Sequence, residues 1–274
     1  MSSPGKEVEV NLSTASLFPW FSLKSTEWSA NMAKKYGYEG LEILPGYSAC
    51  WEYYSIGELS VSKGVVTSLH DSWKRDRRAE VEYSLSADTN KSPLVTLRSS
   101  LLRAVFPNED ITRKTLQGLE NVYQAPVIFH WKEDERHYQK PILEVHPHVG
   151  MNPKQLISWA EEKPEKRGFT LDLSNRKIGD YLRMNGIDQK ERKEVIRQLL
   201  PYTKEVHFQI GDQDELKQVV EGLTEGTLGQ TLSLVKTERP HIPIVAELNP
   251  PILVVAGVSQ FKLAEQAIDF IRKA

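Results

Sequence analysis

Eight short apolar runs, spread along the chain and separated by helix-compatible stretches, constrain the fold more than any other feature. They are residues 8–13 (VEVNLS), 40–44 (GLEIL), 64–70 (GVVTSLH), 126–131 (PVIFHW), 141–146 (PILEVH), 168–173 (GFTLDL), 204–210 (KEVHFQI) and 242–248 (IPIVAEL). Most are rich in Val, Ile, Leu and Phe without clean alternation, the pattern of parallel strands covered on both faces. Parallel strands need crossovers, and several are readable. Ser25 caps a helix carrying Trp28, Met32 and Tyr36 that Gly37 stops, and Asn152-Pro153 opens a second. Asp188, Asp212 and Ser259 start three more. Alternating strand and helix predicts an α/β chain with one domain over residues 1–274, a single (β/α)8 TIM barrel. A doubly wound open sheet would need a glycine-rich phosphate turn after the first strand, and NLSTASLFPW has none. Two irregularities are expected. The third βα segment, 71–107, is long, and only WKEDERHYQK separates strands four and five, so the fourth helix is reduced.

Charge and cysteine content narrow the chemistry. Lys plus Arg is 35 against Asp plus Glu 37, a net −2, which argues against a surface built to grip phosphate backbones. The single cysteine, Cys50, excludes an internal disulfide and a thiolate metal cage. The polar start MSSPGKEVEV and the short longest apolar run, 252–256, predict a cytoplasmic protein with no membrane partner.

Several of the strands end in an ionisable residue: Glu42, His70, His130, Glu144, Asp172, His207 and Glu247. Strand C-termini of a barrel converge on one face, which holds the active site. Seven such groups at one mouth would repel or desolvate one another unless a cation or a substrate network compensates. A divalent ion is the simplest account, and oxygen and imidazole donors suit Mn²⁺, Co²⁺, Mg²⁺ or Zn²⁺. Glu144 and His146 share a strand face, whereas Pro147 ends the strand and puts His148 on a loop. In WKRDRR, Arg75, Arg77 and Arg78 are candidate anion contacts, set against the common case of a solvated charge run. Phe18, Trp20 and Trp51 either stack on a substrate or pack beneath loops. The segment 71–107 is expected to cover the barrel mouth as a lid.

The strand-end motifs GYEGLEI, FHW, LEVHP, LDLSN, VHFQIGD and AELN, in that order, resemble the xylose isomerase-like TIM barrels. That superfamily includes sugar isomerases, ketose 3-epimerases, inosose dehydratases and apurinic endonucleases of the endonuclease IV type. The resemblance implies a metal held by Glu144, Asp172, His207 and Glu247, with Glu144 and Glu247 removing and returning a proton beside a carbonyl. It implies a metal-dependent isomerase, epimerase or dehydratase acting on a sugar or polyol. His70, His130, Glu42, His146 and Asn175 are then candidates for substrate or second-metal contact. His70 and His130 also match the endonuclease branch, whose nucleic-acid phosphodiesterase activity is the first alternative. Against it, that branch's DxxH reads Asp172-Leu-Ser-Asn175 here, and no Asp-x-His follows His207. A non-catalytic, ligand-binding barrel is the second alternative.

Overall fold

A computed structural model describes residues 8–17, 23–71, 109–130, 132–248 and 259–274. The expectations for Phe18, Trp20, Arg75, Arg77, Arg78 and, beyond Asp71, the long third segment lie outside these residues. Eight strands are present: β1 (Val10–Ser13), β2 (Gly40–Ile43), β3 (Val66–His70), β4 (Val127–Phe129), β5 (Pro141–Val145), β6 (Phe169–Asp172), β7 (Thr203–Gln209) and β8 (Ile244–Glu247). All pair in parallel with their sequence neighbours, and β8 returns to β1 in the register Val10↔Ile244. The sheet is a closed barrel, as the eight apolar runs predict.

Polarity, unlike burial, does alternate along these strands. Leu12, Leu41, Leu69, Leu143, Leu171 and Val206 are buried, and so are the polar neighbours Asn11, Glu42, Ser68, Glu144, Asp172 and His207. One face is apolar and meets the helices: Phe208 lies 5.7 Å from Phe270, ring to ring, and Trp159 stacks on Phe169 at 5.9 Å. The other face is polar and turns inward, since His207 on β7 reaches Glu42 on β2 across the barrel. Both faces escape solvent, so the runs read as continuous strands while carrying an ionisable interior.

The described helices are α1 (Thr26–Lys35), α2 (Tyr47–Ile56), α3 (Glu109–Tyr123), α4 (Pro153–Glu161), α5 (Asn175–Met184), α6 (Arg192–Leu199), α7 (Gln213–Glu221), α8 (Thr227–Glu238) and α9 (Gln260–Lys273). Ser25 caps α1 by accepting from the Trp28 N–H, and Asn152 with Gln155 forms a capping box on α4. Asp188 opens a short 3-10 turn before α6 rather than the helix itself, and Ser259 stands at the α9 N-cap without a side-chain bond. The crossover between β4 and β5 is a single 3-10 turn, Lys132–His137, as the ten-residue spacing predicts. It is pinned from both sides. Glu120 on α3 accepts from the backbone N–H groups of Gln139 (2.8 Å) and Lys140 (2.6 Å), and Arg167 pairs with Glu135 at 2.8 Å. Among the described residues no helix is long and apolar enough to cross a membrane.

Candidate active site

Residues spaced two apart on a strand share a face, so β7 sends both Glu205 and His207 into the barrel. From there a chain of alternating carboxylates and imidazoles crosses the interior. His207 Nε2 lies 3.2 Å from Glu205 Oε1 and 3.0 Å from Glu42 Oε2. Glu42 Oε1 is 3.5 Å from His70 Nδ1, and His70 Nε2 is 3.5 Å from Glu144 Oε2. The same Glu144 oxygen is in close contact with His130 Nε2. Glu247 joins from β8, its Oε2 3.5 Å from His207 Nδ1 and accepting from Gln209 Nε2 at 3.2 Å. The rings meet at a tilt, with His70 5.2 Å from His130 and 5.4 Å from His207.

His146 sits at the end of this chain. Its ring meets His130 edge-on at 5.4 Å, and its Nε2 is 3.1 Å from the His130 carbonyl oxygen. Asn175 is engaged elsewhere. Its side-chain oxygen accepts from Arg192 at 2.5 Å, and its backbone N–H donates to the buried Glu215 at 2.7 Å.

The sequence does not single out Lys177, one turn past β6. Asp172 accepts from the Ser174 N–H at 2.9 Å, and Ser174 in turn caps α5 by accepting from the Lys177 N–H at 3.2 Å. This turn delivers the Lys177 ammonium to 3.3 Å from Glu144 Oε1, where the charges of Asp172 and Glu247 also act on it.

Two groups of donors close to within 4.8 Å of one another among the described residues: His70, His130 and Glu144, and Glu42, Glu205 and His207. Neither is the expected quartet of Glu144, Asp172, His207 and Glu247. In that quartet an ammonium stands among the carboxylates and competes for the place of an ion, and His207 faces Glu42 and Glu205 through Nε2 while its Nδ1 lies 3.5 Å from Glu247. The group of His70, His130 and Glu144 fits better. Both ring nitrogens of His70 are buried without a hydrogen bond of good geometry, and the mixed imidazole–carboxylate donors suit Mn²⁺, Co²⁺ or Zn²⁺.

Burial sets the baseline for every charge here, and the neighbours decide the outcome. Burial alone would raise the Glu42 carboxyl, but His207 and His70 hold it well below the usual range. Burial likewise opposes ionisation of Glu144, and Lys177 and His130 override it. Glu247 is also lowered against burial, through its bond from His207. Burial would lower His70, yet the Glu42 charge and the 3.5 Å contacts with Glu144 and Glu42 push it up to about 10. His207 moves the same way, against burial, through Glu42 and Glu205. Where partners are weaker, burial wins: Asp172 rises to about 6, Glu205 rises, and His146 falls to about 4. At neutral pH the interior therefore holds imidazolium at His70 and His207 and neutral imidazole at His146.

The structure thus gathers Glu42, His70, His130, Glu144, His146, Asp172, His207 and Glu247 on one polar interior. Sequence reasoning missed Glu205 and Lys177. Glu205 was findable, two positions before His207 on the same strand face.

No protein-family model matches the chain, and no curated protein sequence does. Among solved structures, a sugar phosphate isomerase/epimerase from Parabacteroides distasonis aligns over 100% of this chain and 99% of its own, at 13% identity and a TM-score of 0.46. A D-allulose 3-epimerase from Methylomonas sp., in complex with D-allulose, aligns over 100% and 99% at 15% identity and 0.47. A 3-keto-D-glucoside 4-epimerase from E. coli aligns over 98% and 100% at 12% identity and 0.46. Tryptophan synthase from M. tuberculosis aligns over 98% and 94% at 7% identity and 0.42. The chemistry has to be read from the side chains, and the fold from the strands themselves: an eight-stranded parallel (β/α)8 barrel.

Proposed function

We propose that this barrel is a sugar or polyol isomerase, epimerase or dehydratase that moves a proton next to a carbonyl. One observation carries the reading: Glu144 and Glu247, both held ionised, share the barrel interior with protonated imidazoles and an ammonium. Proton abstraction beside a carbonyl needs a carboxylate base and a second group to return the proton. It also needs positive charge or N–H donors where the enediolate oxygens develop. Glu144 takes the first role. Glu247, ionised at rest, takes the second by passing on a proton drawn from the His207 imidazolium 3.5 Å away, which the proton taken up by Glu144 replaces over the cycle. His70, His130 and Lys177 take the third. The interior also carries Asp172 Oδ2, Glu42 Oε1 and the His70 nitrogens without good hydrogen bonds, a lining that a hydroxyl-rich guest would satisfy. A divalent ion, when bound, would be held by His70, His130 and Glu144 and would polarise a substrate oxygen.

The test is deuterium exchange from solvent into carbon-bound positions across a panel of ketoses, aldoses and inososes, with and without Mn²⁺ or Co²⁺. Exchange is expected for the native chain, with Glu144→Gln and Glu247→Gln each slower by roughly 10²–10⁴-fold. A panel that shows no exchange under either condition would defeat the proposal. The donor group that includes His70 and His130 favours one second reading, a metal phosphodiesterase of the apurinic endonuclease kind. Incision of an abasic-site duplex, lost in Glu144→Gln, would put that reading ahead.

A further inference from the structure

A buried carboxylate cluster needs a cation, and this barrel builds one into its own chain. The turn after β6 is fixed by two hydrogen bonds, from the Ser174 N–H to Asp172 and from the Lys177 N–H to the Ser174 hydroxyl, so Lys177 leaves the backbone beside Asp172. Its side chain is 32% exposed, while the Glu144 that its ammonium pairs with is 1% exposed. The stem therefore lies at the mouth and the charge is drawn inward. Three residues after Asp172, Asn175 is occupied by Arg192 and Glu215. Asp172 and Glu247 belong to neither of the donor groups that close to within 4.8 Å. Asp172 Oδ2 is buried without a hydrogen bond, and the Lys177 charge acts on it together with those of Glu144 and Glu247.

We propose that Lys177 supplies to Glu144, Asp172 and Glu247 the positive charge that a divalent ion would otherwise bring, and so keeps an ion out of that position. An ammonium and a divalent ion cannot share one group of carboxylates at these distances without strong mutual repulsion. The ammonium also offers three N–H donors, of which Glu144 Oε1 takes one. The others remain for Asp172, Glu247 or an oxygen of bound substrate. The last of these rests on the proposed proton-transfer reaction; the exclusion of metal does not.

The experiment reads metal binding and stability, with no turnover, so it stands or falls apart from the reaction. Calorimetric titration with Mn²⁺ alone compares the chelator-treated native protein with Lys177→Met and Lys177→Ala. The variants are expected to gain one Mn²⁺ site, at least about tenfold tighter than any weak binding the native protein shows at Asp172. Adding Asp172→Asn to Lys177→Met should remove the gained site. Binding at His70, His130 and Glu144 shares Glu144 with Lys177, so it too should tighten in the variants, but it should be insensitive to Asp172→Asn, which tells it from the gained site. Without Mn²⁺ the variants should melt roughly 5 °C or more below the native protein, and Mn²⁺ should restore most of that loss. A variant that folds only with Mn²⁺ present supports the proposal through stability. Native protein whose Mn²⁺ affinity falls on Asp172→Asn would overturn it. So would variants that gain no site, or that stay unfolded even with Mn²⁺.

Discussion

Glu144 is the residue on which the interior charges converge, because it alone meets His70, His130 and Lys177. Replacing it with Gln leaves three cationic or donor groups facing a neutral amide at a fully buried position. Breaking a buried pair from one side costs about 3–5 kcal/mol. Glu144→Gln should therefore lower unfolding stability at pH 7 by that order, read by urea denaturation. Glu247 is 14% exposed and has one imidazole contact at 3.5 Å, so Glu247→Gln should cost roughly 1 kcal/mol. Equal losses for the two would mean that Glu144 holds no special place. Most of this constellation was legible before the fold was seen, because Glu42, His70, Glu144, Asp172, His207 and Glu247 stand at or near the ends of apolar runs. Lys177 was not. It lies in an ordinary amphipathic helix, and only the Asp172–Ser174 turn makes it a neighbour of Glu144.

At the level of elements, the eight strands were readable to within a residue or two, since they bury both faces almost throughout, Lys204 on β7 being an exposed exception. The inward polar face hid inside that continuity. Helix α2 was not readable for the opposite reason. Its sequence YSACWEYYSI opens after Gly46 with no side-chain cap, buries only Ala49 and Cys50, and leaves Trp51, Tyr54 and Ile56 exposed. No apolar stripe marks it. Two element-level contacts yield predictions. In α8 a Cβ on Gly229 would stand 2.1 Å from the Thr224 carbonyl oxygen, a backbone atom that cannot rotate away. Gly229→Ala should destabilise by about 1–3 kcal/mol despite alanine's better helix propensity, and a melting temperature no lower than native would refute this. At the barrel seam, Ser16 Oγ donates to the Ala246 carbonyl at 3.0 Å and accepts from the Leu248 N–H at 2.8 Å, tying the turn after β1 to the end of β8. Ser16→Ala leaves both backbone groups unpaired in a buried place and should cost about 2 kcal/mol. Because β8 ends at Glu247, exchange activity should fall with it; Ser16→Thr, which keeps the hydroxyl, should recover part of both.

For the molecule as a whole, a net charge of −2 conceals a separation: among the described residues, paired charges are buried in the barrel. Composition reports the sum and is blind to the burial, which is why the near-neutral total said nothing about a strongly ionised interior. Stability should nevertheless carry its signature in pH. His70 titrates near 10 in the folded chain against about 6.5 when unfolded, and His207 is displaced in the same direction. Between those values the folded state binds more protons than the unfolded state, so stability falls as pH rises. The contribution is complete below about 6.5 and is lost by the time pH has passed about 10. Glu42 and Glu144, lowered by the same partners, contribute in the opposite sense: their share is present above about 4.5 and disappears as pH falls below it. Lys177 is raised above its ordinary value and stays charged across the alkaline window, so it does not blur the histidine signal. Urea midpoints measured from pH 6.5 to 9.5 should therefore decline steadily, with His70 accounting for at most about 4 kcal/mol over that span. In His70→Gln the starting midpoint should be lower and the decline shallower, since one of the two raised imidazoles is gone. A native midpoint that is flat or rises with pH would mean that these imidazoles are neutral in the folded chain, and that the carboxylates of the barrel interior find their positive charge elsewhere.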